Sequence, residues 1–311
     1  MNVNNAINVS VLGVGYLGEY HVQQLQSIKG VNLIGIFDLD YERAEYVAKK
    51  YKTKIIDKDI LIKKSDAVCI VTPTSSHYEN AKEAIENNCH VFIEKPITET
   101  IEQSLLLIQL ANKENLYIQV GHIERFNKAY QLLLNEDVEP EFIECHRLAH
   151  YNKRGVDVSV ILDLMIHDID LIINLKNRKI NSIDANGVSV ISNTIDIANS
   201  RIMFNDGCVA NLTASRISQK NMRKIRVFAK NQYYGVDLLK QTLKKYSVSS
   251  MQTSKNNCIV QSKTENRNNA LYDELYTFIK CIRNKTKPIV DGESGMNALD
   301  VALQIQRKII G

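Results

Sequence analysis

A glycine-rich hexapeptide set between a strand-like run and a helical pattern constrains this 311-residue chain more than any other feature. Val9-Ser10-Val11-Leu12 reads as a buried strand, Gly13-Val14-Gly15-Tyr16-Leu17-Gly18 follows it directly, and residues 16–28 carry apolar side chains at helical spacing. A strand that turns so tightly into a helix starts a right-handed crossover, so a second strand must lie parallel to the first. Gly13 would permit the tight turn, Gly15 would let a pyrophosphate approach the backbone, and Gly18 would let the helix pack closely on the strand. The helix N-terminus, beginning at Tyr16 and Leu17, adds N–H donors and a favourable dipole. Asp38 ends the next apolar run, residues 33–38, at the spacing this dinucleotide fingerprint requires. Its carboxylate can accept hydrogen bonds from both adenosine ribose hydroxyls and would repel a 2′-phosphate, so NAD is expected as cofactor over NADP. The alternative for Asp38 is a solvated turn residue, and Arg43, shortly after it, leaves some tolerance of NADP open.

The same alternation continues. Residues 67–72, 90–94 and 117–121 are short apolar runs, and residues 41–51, 76–87 and 100–114 have helical periodicity, which together predict an α/β Rossmann domain with a parallel sheet covered on both faces. After Arg125 the texture changes to a short helix that Asn127 can cap, a strand over 142–150, a helix over 158–175, and alternating segments over 183–190, 195–204, 208–215, 225–229 and 232–239. These predict an α+β second domain with a large, mainly antiparallel sheet. The domains are expected at residues 1–123 for the nucleotide and 124–311 for substrate and oligomerisation, the closing helix being able to pack back on the first. The polar tract 248–269 reads as a weak hairpin plus loop, and two helices over 269–284 and 292–310 flank the turn at Lys287-Pro288.

Composition removes several function classes. A formal charge of +4, evenly spread, is too mild for a nucleic-acid or polybasic membrane surface, though it suits an acidic small substrate. Cys69, Cys89, Cys145, Cys208, Cys258 and Cys281 lie far apart without a CxxC pair, so neither a zinc cluster nor a disulfide framework is signalled. No run reaches the ~20 apolar residues of a membrane span, and residues 1–10 lack a secretory pattern, so a cytoplasmic protein is expected.

Two further segments narrow the reading. Val71-Thr72-Pro73-Thr74-Ser75-Ser76-His77 follows the third strand and Val91-Phe92-Ile93-Glu94-Lys95-Pro96 forms and follows the fourth. With the glycine motif, with Gly121-His122-Ile123-Glu124-Arg125-Phe126-Asn127 and with Asp163-Leu164-Met165-Ile166-His167-Asp168-Ile169-Asp170, they closely resemble the glucose-fructose oxidoreductase / inositol dehydrogenase / MocA family over essentially the whole chain. The resemblance implies a Rossmann domain, an open-faced sheet in the second domain, a tightly held nicotinamide cofactor, and a homodimer or homotetramer packed through sheet faces. It adds Thr72, Pro73, Thr74, His77, Glu94 and Lys95 to the cofactor site. It makes Lys95 the catalytic lysine beside the nicotinamide, where residues alone would read an ordinary surface lysine at a strand's carboxyl end.

Asp163, His167 and Asp170, at i, i+4 and i+7, are expected on one helix face. By resemblance His167 is the acid/base and Asp163 orients it or touches the sugar, with His122 and Arg125 near substrate. A helix-surface His–Asp pair and a metal site are the alternatives, the latter lacking further ligands. Met165 stands where the family commonly has glycine and Lys128 where it often has proline. The DLMIHDID and GHIERFN wording resembles the branch that includes UDP-N-acetylglucosamine 3-dehydrogenases. Arg147, Lys153, Arg154, Arg216 and Arg223 are candidate diphosphate ligands. The expected activity is oxidation of a secondary sugar hydroxyl, on a nucleotide sugar or a free monosaccharide or cyclitol; a non-catalytic NAD-binding regulator is the reading from another class.

Overall fold

Parallel strands joined by helices are what the first third of the chain builds. The computed structural model describes residues 6–152, 158–248, 258–264 (backbone only) and 267–311. Its first unit comprises Met1–Ile123 and Asn269–Asn297. Strands β1 (Ile7–Leu12), β2 (Val31–Phe37), β3 (Ala67–Ile70), β4 (His90–Glu94) and β5 (Ile118–Gly121) form one parallel sheet in the order β2-β1-β3-β4-β5. Helices α1 (Tyr16–Ser27), α2 (Tyr41–Tyr51), α3 (Lys58–Lys63), α4 (His77–Glu86) and α5 (Ile101–Lys113) connect them. β1 lies between β2 and β3, with Leu12 paired to Phe37 on one side and Ile70 on the other. The chain therefore leaves β1 in one direction and returns on its other side, which is the switch point where such sheets bind ligands beyond their carboxyl ends. Every residue of β3 and β5 is buried, as expected of strands covered on both faces. Capping fixes the helix starts: Asp40 accepts from Arg43 N at 3.0 Å, and Thr100 and Gln103 form a capping box.

The second unit comprises Glu124–Asn268 and Ala298–Gly311. Asn127 caps α6 (Lys128–Leu134) by accepting from Ala129 N at 3.1 Å. Strand β6 (Phe142–Leu148) follows, and a π-helical turn, Ile161–Met165, leads into α7 (Ile166–Lys176). Strands β7 (Ile180–Val188), β8 (Ile197–Phe204), β9 (Val209–Ser215), β10 (Met222–Ala229), β11 (Gln232–Asp237), β12 (Thr242–Val248) and β13 (Cys258–Thr264) complete an eight-stranded sheet, ordered β13-β12-β11-β10-β6-β9-β8-β7. β6 and β9 run parallel and the other neighbours antiparallel. In β8 exposed and buried residues alternate strictly, so one face of this sheet is dry and the other open. The dry face holds Ile202, Leu212 and Ala214 against Met165, Ile166 and Ile169.

Two helices close the chain, α8 (Ala270–Asn284) and α9 (Gly292–Ile310). Residues 269–297, expected in the second domain, belong instead to the first unit: Leu275, Phe278 and Ile279 of α8 complete the core beside Val22, Leu25 and Phe92. The strand β12 was not anticipated. Its Lys244 and Lys245 mask the alternation, and the expected hairpin began where β12 ends; residues 249–257 and 265–266 of that tract lie outside the described ones. Among the described residues no helix is long and apolar enough to cross a membrane.

Candidate active site

The glycine loop is shaped by steric demands at two of its three glycines and by open space at the third. Gly13 has φ +83°, and a Cβ there would lie 2.7 Å from Val71 O and 2.8 Å from Thr72 N. Its N–H donates to Phe37 O at 2.8 Å, which ties the turn to the end of β2. At Gly18 a Cβ would sit 2.0 Å from Gly13 O, so only glycine lets α1 start so close to the strand. Nothing lies within 4 Å of a Cβ at Gly15, which faces open space at the uncapped N-terminus of α1. Tyr16 and Leu17 flank it, 59% and 50% exposed. These features fit a dinucleotide: an approachable backbone, N–H donors for phosphate, and a carboxylate just beyond β2. That carboxylate, Asp38, is itself anchored, accepting from Val14 N at 2.6 Å and from Asp40 N at 2.9 Å.

The loops after β3 and β4 are tied together by a histidine. The His77 ring is buried, with Nδ1 2.9 Å from Pro96 O and Nε2 2.9 Å from Thr72 O. Burial lowers its pKa, opposing the second proton that would let both nitrogens donate. His77, expected in the cofactor site, braces the Thr72-Pro73-Thr74 and Lys95-Pro96 segments against each other, its ring packing inward from the first turn of α4. Ser76 Oγ adds a bond to Thr72 Oγ1 at 2.7 Å. The Lys95–Pro96 peptide is cis.

Beneath Lys95 the Glu94 carboxylate is shielded on three sides. Oε1 is 2.9 Å from His21 Nε2, Oε2 accepts from Lys95 N at 3.1 Å, and a Cβ at Gly121 would come within 2.8 Å of Oε2. Burial pushes the Glu94 pKa up, but the His21 hydrogen bond and the His21 and Lys95 charges outweigh it and hold it below the ordinary value. His21, which the sequence reading missed, lies with Val22 and Leu25 on the buried face of α1, where a histidine reads as core.

In the second unit, Asp163 lies in the π-helical turn and His167 in the first turn of α7, both partly exposed. Such turns recur at functional sites because one wider loop re-aims the side chains around it. Asp170, expected on the same face, departs from it. Its side chain is 1% exposed and accepts from Arg125 Nε at 2.6 Å and Nη2 at 2.7 Å. Arg125, expected near substrate, thus pairs with a buried carboxylate and is itself 8% exposed, and His122, expected beside it, is 1% exposed.

Next to His167 the buried Asp168 accepts from Arg147 Nη2 at 2.7 Å, and Glu124 accepts from Arg147 Nη1 at 2.9 Å, Arg223 Nη1 at 3.2 Å and Asn127 Nδ2 at 3.0 Å. Burial raises the pKa of Asp168. It works the same way on Glu124, where Arg147 and Arg223 outweigh it. Arg147, a candidate diphosphate ligand from sequence, is thus committed to two carboxylates. Arg216, another, is 4% exposed and committed to Val158 O and Asp196. Arg223 keeps 47% of its side chain exposed, while Lys153 and Arg154 lie outside the described residues. The partners of these arginines are up to 99 residues away, so no local pattern announced them. Among the described residues no three His, Cys, Asp or Glu side chains converge as a metal site.

Residues 7–122 match the family described as "Oxidoreductase family, NAD-binding Rossmann fold". Over 307 residues, covering 96% of both chains, the sequence is 34% identical to a UDP-N-acetylglucosamine 3-dehydrogenase of Acidithiobacillus ferrooxidans. A solved structure of that enzyme superposes with a TM-score of 0.93 over 97% of each chain. A scyllo-inositol 2-dehydrogenase (NAD(+)) of Bacillus subtilis is 27% identical over 97% of this chain and 93% of its own. The scyllo-inositol dehydrogenase of Lactobacillus casei, solved with NAD(H) and scyllo-inositol, shares the fold at 20% identity and a TM-score of 0.81, covering 98% of this chain and 97% of its own. The end-to-end identity of 34%, together with the glycine loop and the Glu94-Lys95-Pro96 segment, places this dehydrogenase chain in the glucose-fructose oxidoreductase / inositol dehydrogenase / MocA family of NAD-binding oxidoreductases.

Proposed function

We propose that the chain oxidises a secondary hydroxyl of a nucleotide sugar, UDP-N-acetylglucosamine at carbon 3, with NAD in preference to NADP. The observation that carries the reading is the 34% identity, spread over 96% of both chains, to an enzyme of that name. Identity across the whole length includes the sheet domain, where substrate choice in such proteins must reside if the cofactor fills the first domain. Bound nicotinamide supplies the hydride acceptor. His167, partly exposed at the start of α7, takes the hydroxyl proton, imidazole being the side chain best suited to exchanging protons near neutral pH. Lys95 stabilises the negative charge that develops on the same oxygen. Asp163, four residues before His167, orients the imidazole or a sugar hydroxyl. Asp38 sets cofactor choice by holding a negative charge at the adenosine ribose.

The test is direct. The protein is incubated with NAD and, separately, UDP-N-acetylglucosamine, other UDP-sugars, free N-acetylglucosamine and inositols, following NADH absorbance and product mass. Loss of two hydrogens from UDP-N-acetylglucosamine with the label of a carbon-3 deuterium is expected. Turnover of an inositol, with no UDP-sugar oxidised, would replace the nucleotide-sugar reading by the cyclitol one.

A further inference from the structure

The corner of the first unit that holds Asp38 also holds a cation of the opposite tendency. Arg43, in the first turn of α2, donates through Nε to Val14 O at 2.8 Å and through Nη2 to Gly15 O at 3.1 Å. Asp38 accepts from the N–H of that same Val14 at 2.6 Å, so carboxylate and guanidinium flank one residue of the glycine loop. A guanidinium is suited to a phosphate monoester, because its planar fork matches two phosphate oxygens. Left to itself, Arg43 beside the ribose position would favour the 2′-phosphate that Asp38 disfavours.

The structure shows what it is doing instead. Nη2 of Arg43 also meets the carboxylate of Glu19 on α1. Glu19 is held in turn by Lys50 Nζ at 2.7 Å and Tyr51 Oη at 3.3 Å, both near the far end of α2. Its side chain is 17% exposed against 28% for Arg43, so the pair is only partly screened by water. The Lys50 hydrogen bond lowers the Glu19 pKa, with burial opposing and Arg43 helping, so the carboxylate stays ionised at neutral pH. A partly exposed ion pair contributes little to stability, which leaves its placement as the informative property.

We propose that Glu19 is a second determinant of dinucleotide choice: by engaging the Arg43 guanidinium from α1, it withholds that cation from a 2′-phosphate at the Asp38 position. The proposal deepens the NAD reading and rests on it. Asp38 repels the phosphate, and Glu19 removes the group that would reward it. Removing Asp38 alone therefore leaves the enzyme poor at binding NADP, whereas removing both charges exposes a phosphate-binding arginine already anchored on the loop.

Calorimetric titration of the full chain with NAD and with NADP separates these contributions without reference to turnover. Wild type, Asp38→Ala, Asp38→Ala/Glu19→Gln, and that double variant with Arg43→Ala are compared. Wild type is expected to bind NAD more tightly, and Asp38→Ala to narrow the ratio. Adding Glu19→Gln should raise NADP affinity by a further ~10-fold, the scale of one hydrogen bond to a charged group, with NAD affinity changed far less. Arg43→Ala should erase that gain. A double variant no better at binding NADP than Asp38→Ala would overturn the proposal. So would a gain that survives Arg43→Ala, since another cation such as Lys50 would then hold the phosphate. Wild type preferring NADP would instead overturn the NAD reading beneath it. If the double variant does not fold, Asp38→Asn/Glu19→Gln, which keeps an acceptor for Val14 N, is titrated with NADP against Asp38→Asn: gained affinity supports the latch and unchanged affinity refutes it.

Discussion

His167 and Asp168 are adjacent in sequence and opposite in circumstance. His167 keeps part of its surface open, while Asp168 is buried against Arg147. That contrast supports assigning proton transfer to the histidine and a structural charge to its neighbour. Removing a positioned acid/base typically costs ~10² to 10⁴ in rate, so His167→Ala should lose turnover on that scale. NAD affinity should hold, because all the expected cofactor contacts lie before Gly121. Lys95→Ala should be at least as damaging, and Asp163→Asn less so, if the carboxylate only orients its neighbour. Steady-state kinetics over pH 6–9, beside NAD titration, checks the order; near wild-type turnover of His167→Ala at every pH would send the search for a proton carrier elsewhere. The conformational roles of Gly13 and Gly18 were readable because a turn and a close approach of helix to strand are local matters. The bracing role of His77 was not readable, since its partners Thr72 O and Pro96 O are backbone atoms that carry no sequence signal.

At the scale of the element, most strands and helices followed from apolar periodicity, and the exceptions share a cause. The helix α3, six residues long, is too short to display a period, and in the strand β12 the adjacent Lys244 and Lys245 interrupt the alternation of apolar and polar residues. The connection between β7 and β8 shows how a single side chain can fix a turn. Asp196 accepts from Val190 N and Ile191 N at 2.8 Å, from Ser192 N at 3.0 Å and from Ser192 Oγ at 2.6 Å. Burial alone would raise its pKa, but these donors carry it well below the ordinary carboxylate value. The folded state therefore stays ionised where the unfolded chain, near pH ~3.9, takes up a proton. The stabilisation is complete above that pH and is lost as pH falls towards the folded value. Asp196→Asn should cost about 1–3 kcal/mol at pH 7, with the gap to wild type narrowing below pH ~4. Urea denaturation at pH 7, 4 and 3 measures this, and a gap independent of pH would assign the effect to shape instead of charge.

For the whole molecule, the decisive fact is that the chain returns to its first unit. Leu275, Phe278 and Ile279 of α8 are 0–1% exposed in that core, and Phe278 lies edge-on to Phe92 at 6.0 Å. Burying each such side chain is worth about 1.5–3 kcal/mol, against a net stability of roughly 5–15 kcal/mol for a folded domain. A fragment of residues 1–123 should therefore lack a cooperative melt and bind NAD poorly, whereas the same fragment joined by a flexible linker to residues 269–297 should recover both. Circular dichroism melting and NAD titration of the two fragments decide it; equal behaviour would mean that α8 is dispensable to the nucleotide unit. By itself the sequence determined the order of most strands and helices, the glycine turn, the carboxylate just beyond β2 and the family, because each depends on neighbours a few residues apart or on a motif kept intact. Only the tertiary structure decided that 269–297 completes the first core, that Arg125, Arg147 and Arg216 neutralise buried carboxylates, and that Glu19 engages Arg43. Those outcomes depend on which distant side chains share a low-dielectric space, and a buried charge must find its partner wherever the fold brings one.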